Sequence, residues 1–366
     1  MEYVVTVILY LLYIYIMTQM AGMAFTSKYK TNRNLGWMMI LLFPSLLAAF
    51  RGRTGTDSYM YQQIYEGILQ REWQTMEFGY ACIMEVLNAC HFSYRVLFFI
   101  MQFLTVLFIM LFINNEKENI DARMAVLIFA SDLFFWTLNG MRQGLAIAIV
   151  LYAFSVFMDG KWKKSIALII LASVFHMSAL IAFVVLGAKW LFENRYTRVI
   201  IAICVGVILW FIFHRDQLGY LAYKLSGSAY YASYITRDAQ SEGSIINVII
   251  KCFPILFICA LNFKNYRGNA KKYKIYFAMM ICGYVFTLLG VITATFVERA
   301  AYYFTYLNIC LLAFASTQPL VVYKWKFSCQ IVKYVVIAYV MVMFSYNTVY
   351  RNFNDLIPYY GLFSNG

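Results

Sequence analysis

Charge is scarce in this chain. Asp, Glu, Lys and Arg make up 13% of its 366 residues and apolar types 63%, whereas a soluble domain carries about 25% and 45–50%. A soluble fold of this length is excluded. Only four prolines and three histidines occur, and the eight cysteines form no Cys-x-x-Cys pair and lie mostly within apolar runs. These shortages exclude a disulfide scaffold and a His/Cys metal cluster, because cysteine in such runs behaves as a small buried hydrophobe. Acidic residues are the rarer sign, 17 against 30 bases, for a net charge of +13. The bases are scattered over short loops and form no basic arm, which argues against nucleic-acid binding.

What remains is apolar sequence in runs longer than the roughly 20 residues a helix needs to cross about 30 Å of hydrocarbon, with a mean hydropathy of +0.67. The runs are too continuous for barrel strands, so the expected architecture is an all-α, polytopic membrane domain over residues 1–366. Twelve segments are expected: Val4–Phe25, Leu35–Phe50, Tyr94–Ile113, Arg123–Leu138, Met141–Met158, Ser165–Phe175, Met177–Phe192, Val199–Phe213, Ile245–Leu261, Ile275–Phe296, Ala300–Ser316 and Cys329–Ser345. The first has no basic n-region or small-residue cleavage site and reads as a retained span. Lysine-rich connections at Lys28/Lys30/Arg33, Lys161/Lys163/Lys164, Lys189/Arg195/Arg198, Lys264–Lys274 and Lys324/Lys326 are cytoplasmic by the positive-inside rule. That assignment requires Ser165–Phe175 and Met177–Phe192 to form a short hairpin with His176 at its tip. The other side then holds an outer loop over 51–93, with an interfacial helix from Gly79 to Cys90, the Asn139–Gly140 and Glu298–Arg299 turns, an outer loop over 215–244, and the tail from Asn347, which would close over an outward-facing polar cavity.

The outer face carries arginine almost to the exclusion of lysine: Arg51, Arg53, Arg71, Arg142, Arg215, Arg237, Arg299 and Arg351 against Lys224. Guanidinium forks bind phosphate bidentately, so this cluster suggests a phosphate or pyrophosphate site, the alternative for any single arginine being snorkelling to headgroups. Arg51-Gly-Arg53-Thr-Gly-Thr-Asp57-Ser follows a span directly; Asp57 either caps the next helix or takes a sugar hydroxyl. Tyr59, Tyr61, Tyr65 and Trp73 offer flat faces for sugar rings or a membrane-interface belt. Arg142 and Gln143 start a helix whose dipole favours anions. His176, among apolar residues and serines, is either a hydrogen-bonded core group or a general base. Lys251, midway along a span, requires a carboxylate partner or an anionic ligand. Glu298 and Arg299 suggest an ion-pairing cap beside Tyr303.

The order Arg51-x-x-x-Gly55-Thr56-Asp57-x-x-x-Tyr61, then Asn139-x-x-Arg142-Gln143-x-x-Ala146, then Phe175-His176-x-Ser178-Ala179, then Glu298-Arg299-x-x-x-Tyr303 resembles the EpsG family of bacterial polysaccharide biosynthesis proteins. The resemblance implies a Wzy-like polymerase of capsule, exopolysaccharide or O-antigen in the bacterial cytoplasmic membrane. Such an enzyme joins polyprenyl-pyrophosphate-linked oligosaccharide repeat units on the outer face and needs no metal or other cofactor. Its partners would be membrane lipids and the flippase and chain-length regulator of the same pathway. On this reading Arg142 and Arg299, with Arg51 or Arg53, hold the pyrophosphate, and His176 or Asp57 accepts the proton of the attacking hydroxyl. Tyr61, Asn139, Gln143, Glu298, Tyr303 and Lys251 serve the sugars or support the site. The rival classes are a flippase of lipid-linked oligosaccharide and a membrane O-acyltransferase acting on glycans.

Overall fold

The computed structural model describes residues 2–69, 76–184, 186, 245–265, 271–292, 295–322 and 325–361. The Val199–Phe213 segment, the 215–244 loop, most of the return arm of the Met177–Phe192 segment, and Arg71, Trp73, Arg215, Lys224 and Arg237 lie outside the described residues. In chain order the helices are α1 (Glu2–Thr26), α2 (Lys30–Ala49), α3 (Ser58–Tyr65), α4 (Phe78–Ala89), α5 (Tyr94–Glu116), α6 (Ala122–Ser131), α7 (Leu133–Thr137), α8 (Met141–Met158), α9 (Trp162–Phe175), α10 (Ile245–Asn265), α11 (Lys271–Ile292), α12 (Thr295–Thr305), α13 (Asn308–Ala315) and α14 (Cys329–Phe344). Six of them, α1, α5, α8, α10, α11 and α14, are long and apolar enough to cross a membrane. The chain is a helical membrane protein.

Helix α8 forms the centre. Every residue from Leu145 to Leu151 is buried, as expected of a helix that is apolar on all sides, and it packs between α5 and α9. The outer helices behave oppositely: α1 exposes Val4, Val5, Ile8, Leu12 and Tyr15, and α14 exposes Tyr334, Val335 and Val342. Apolar faces of this extent are stable against lipid and not against water. Helices α11 and α12 meet where side chains are absent, since a Cβ at Gly283 would fall 2.8 Å from Cβ of Phe304 and one at Gly290 would overlap the Glu298 backbone. Small residues permit this approach in membrane bundles.

Four expectations are corrected. Arg123–Leu138 is broken at Asp132 (φ −129°, ψ −78°): Ser131 Oγ donates back to Leu127 O at 2.8 Å, and the Asp132 carboxylate turns to Lys251 at 3.5 Å. Ala300–Ser316 is split into α12 and α13 at Tyr306–Leu307. Glu298 and Arg299 are no turn but lie within α12, where an acid in the first turn suits the helix dipole. The all-α expectation omits a short antiparallel hairpin, β1 (Leu320–Val322) with β2 (Trp325–Phe327). The helix expected from Gly79 to Cys90, by contrast, is present as α4 within one residue of its expected start.

The two ends of the bundle differ chemically. At one, Glu116 is fully buried and accepts from Lys272 Nζ at 2.7 Å, Tyr273 at 3.1 Å and Tyr276 at 2.9 Å. Lys272 also reaches Asp159 at 2.9 Å, Lys333 pairs with Asp121, and Arg123 donates to Thr26 at 3.2 Å. This is the lysine-rich end. The motif residues gather at the other.

Candidate functional site

Three helix ends and one loop build the site. Helix α9, about 21 Å long at 1.5 Å per residue, runs from the lysine-rich end and stops at His176, whose backbone is extended (φ −158°, ψ 114°) before a 3-10 turn over Met177–Ala182. The expected break at the histidine is therefore present. Gly79 lies against this end of α9, since a Cβ there would fall 2.8 Å from Val174 Cγ1. That approach brings Glu77, at the head of α4, to His176.

Glu77 is the hub. Its Oε1 accepts from His176 Nδ1 at 2.7 Å, and its Oε2 pairs with Nη1 of Arg142, the second residue of α8. The Arg142 Nε donates to the Tyr61 hydroxyl at 3.4 Å, and its guanidinium lies 5.8 Å from the centroids of both the Tyr61 and Tyr80 rings. Burial pushes the Glu77 carboxyl up, but the His176 hydrogen bond and the Arg142 and His176 charges outweigh it and hold the group below its ordinary value. An ionised carboxylate only accepts, so His176 donates through Nδ1–H and Nε2 is left as its basic nitrogen.

Around this hub the expected residues take distinct places. The Ser178 and Tyr303 hydroxyls meet at 2.9 Å, which ties the His176 turn to α12. Gln143 Nε2 donates to the Arg299 carbonyl at 2.9 Å, so the backbone of Arg299 adjoins α8 while its side chain is exposed. Glu298 accepts from Tyr302 at 3.4 Å. Asn139 Nδ2 donates to Thr56 Oγ1 at 2.6 Å, and its Oδ1 takes the Asp57 backbone N–H at 3.4 Å. Only glycine fits at position 55, where φ is +94° and a Cβ would overlap Asn139 Oδ1. Asp57 precedes α3 but its side chain makes no capping bond; it accepts instead from the Thr56 hydroxyl at 3.1 Å.

The arginines divide. Arg53 is exposed and lies 4.7 Å over the Tyr59 ring. Arg51 is fully buried, 4.5 Å from the Phe98 centroid, with Nη2 on Met141 Sδ at 3.1 Å. Burial pushes its pKa down to about 10, against the phenols of Tyr359, Tyr80, Tyr10 and Tyr61 that favour the cation. The tail from Asn354 to Tyr360 is hydrogen-bonded to the 52–56 loop next to Arg51. Lys251 belongs to a separate cluster: Nζ is 3.5 Å from Asp132 and 5.9 Å from the Tyr306 centroid. Lys251 and Asp132 line a cavity of about 30 Å³ with Ser131, Asn308, Tyr339 and Thr348, enough for one water. Among the described residues no group of His, Cys, Asp and Glu is placed to hold a metal ion.

Glu77, Tyr80 and Asp132 escape the sequence reading. The 51–93 loop offers Asp57, Glu66, Glu72, Glu77 and Glu85 as partners for Arg142 and His176, and the sequence alone does not choose among them.

No curated protein and no solved structure matches the chain. A family model described as the EpsG family matches residues 34–360. The motifs just located all lie within that span, and the chain belongs to the EpsG family.

Proposed function

We propose that this membrane protein of polysaccharide biosynthesis polymerises lipid-linked oligosaccharide repeat units at the outer face of the bacterial cytoplasmic membrane. The observation that carries the reading is Glu77, whose carboxylate joins His176 to Arg142. A carboxylate on Nδ1 orients the imidazole and leaves Nε2 as the nitrogen that can accept a proton, the arrangement a general base requires. His176 Nε2 takes the proton from the attacking sugar hydroxyl, the oxygen forms the new glycosidic bond, and the bond to the donor's pyrophosphate breaks. Arg51, Arg53, Arg142 and Arg299 neutralise the departing polyprenyl pyrophosphate. Tyr61, Asn139, Gln143, Glu298 and Tyr303 hold these groups in register. Asp57 stands second as base, because its carboxylate faces Thr56.

One observation favours a flippase, the mid-helix pair of Lys251 with Asp132, since transporters place charge deep in the membrane. Deleting the gene and sizing the surface glycan separates the readings. A polymerase mutant leaves single repeat units at the surface, a flippase mutant leaves none there, and an acyltransferase mutant keeps chain length.

A further inference from the structure

Among the described residues Arg51 is the bulkiest fully buried side chain, and no carboxylate among them pairs with it. Its Nε and Nη1 reach no acceptor, and the buried Tyr80 hydroxyl beside it is equally without a partner. A buried guanidinium left uncompensated destabilises a fold, and such groups persist where something else completes them. Two N–H groups and a phenol, all able to donate and none satisfied, form the complement of an oxyanion, which guanidinium and hydroxyl donors bind.

What covers Arg51 is the carboxy-terminal segment. Gly52 N–H donates to Tyr360 O, Tyr360 N–H to Thr54 Oγ1 at 2.8 Å, Gly55 N–H to Asp355 O at 2.9 Å, and Thr56 N–H to Asn354 O at 3.2 Å. From α1, Tyr10 donates to Leu356 O at 2.6 Å and Thr6 Oγ1 accepts the Tyr359 N–H at 2.9 Å. Tyr359 itself donates to Leu47 O at 2.7 Å. The segment is held by hydrogen bonds to its neighbours, and three of its residues, Asn352, Asn354 and Asp355, sit at φ of 44°, 73° and 50°. Asn and Asp tolerate this conformation, so what holds the segment over Arg51 is its hydrogen bonds to the neighbouring elements.

We propose that Arg51 and Tyr80 form an oxyanion subsite and that residues 352–360 are the strap over it, which lifts to admit a diphosphate and stays open while it is bound. The identity of that diphosphate as the head of a lipid-linked glycan rests on the polymerase reading; the preference for an oxyanion rests on the donors alone.

The test is binding of inorganic pyrophosphate to the full-length protein in lipid nanodiscs, by calorimetry. The pair Thr6→Val with Thr54→Val removes two strap hydrogen bonds and touches neither Arg51 nor Tyr80. Each lost bond raises the open fraction about fivefold, so the pair tightens the apparent Kd by up to about twenty-fivefold. Adding Arg51→Gln to that background abolishes the gain and lowers affinity by about a hundredfold or more, whereas Lys326→Gln, an equal loss of charge at the opposite end, changes nothing. Unchanged affinity in the Thr6/Thr54 variant overturns the strap, and unchanged affinity in Arg51→Gln overturns the subsite. Arg51→Met controls for folding: it melts at or above the wild-type temperature if the charge serves a ligand, and well below it if the charge serves the fold, which also overturns the subsite. Should Arg51→Gln lose pyrophosphate while cells carrying it still make full-length glycan, the subsite stands and the polymerase reading falls.

Discussion

Replacing Glu77 by glutamine tests the hub with the least change of shape. The carboxylate is nearly buried, its side chain 9% exposed against 17% for Arg142 and 28% for His176. Removing one partner of a fully buried pair costs about 3–5 kcal/mol, mostly because the other charge is stranded. Here Arg142 keeps the Tyr61 hydroxyl and the amide oxygen still accepts one bond, so Glu77→Gln is expected to cost about 2–3 kcal/mol, read as a lower melting temperature in detergent. The catalytic effect is separate and larger. Without the carboxylate the Nδ1–H loses its acceptor, and the proton transfer at Nε2 slows by about 10²–10⁴. The assay is the ladder of surface glycan from cells carrying the variant, normalised to protein abundance. The expected ladder collapses to one or a few repeat units at normal abundance. Glycan of full length together with an unchanged melting temperature would refute the reasoning.

Acid weakens the same hub. Glu77 titrates below its ordinary value of 4.5, so the stability it contributes is present above that value and is lost as pH falls through its depressed pKa; the melting-temperature gap between wild type and Glu77→Gln is constant at neutral pH and closes in strong acid, and a gap independent of pH contradicts this. For the pair at the small cavity, Lys251→Met and Asp132→Asn each destabilise, while the double variant recovers about 1 kcal/mol relative to the sum; thermal unfolding of all four proteins gives the coupling, and strict additivity denies the ion pair. Gly55→Ala forces a Cβ against Asn139 at a positive φ and costs about 1–3 kcal/mol, seen as a lowered melting temperature and shortened glycan; wild-type values for both would contradict the loop geometry.

The legible part of the architecture was the part written in hydropathy and charge. The long spans, the sorting of lysine loops from arginine motifs and the break at His176 all follow from period, length and loop composition. Asp132 and Glu298 show where this fails. Inside an apolar stretch a lone acid looks like a tolerated charge, and only the distant Lys251 makes Asp132 a helix break. Gly290 lets the Glu298 backbone come so close that α12 starts earlier than hydropathy suggests. Within the site, Arg142, Gln143, His176, Tyr61 and Tyr303 were visible as polar residues at span ends. Glu77 was not, because what selects it among five loop acids is the contact of Gly79 with Val174, a packing relation between segments some hundred residues apart.

The central claim is that His176, held by Glu77, is the base that drives chain growth. Its most direct test is the glycan made by cells whose sole copy of the gene carries His176→Ala, sized against wild type at equal protein abundance in the membrane. The account predicts single repeat units on the cell surface and no ladder above them. A wild-type ladder from that variant would contradict it.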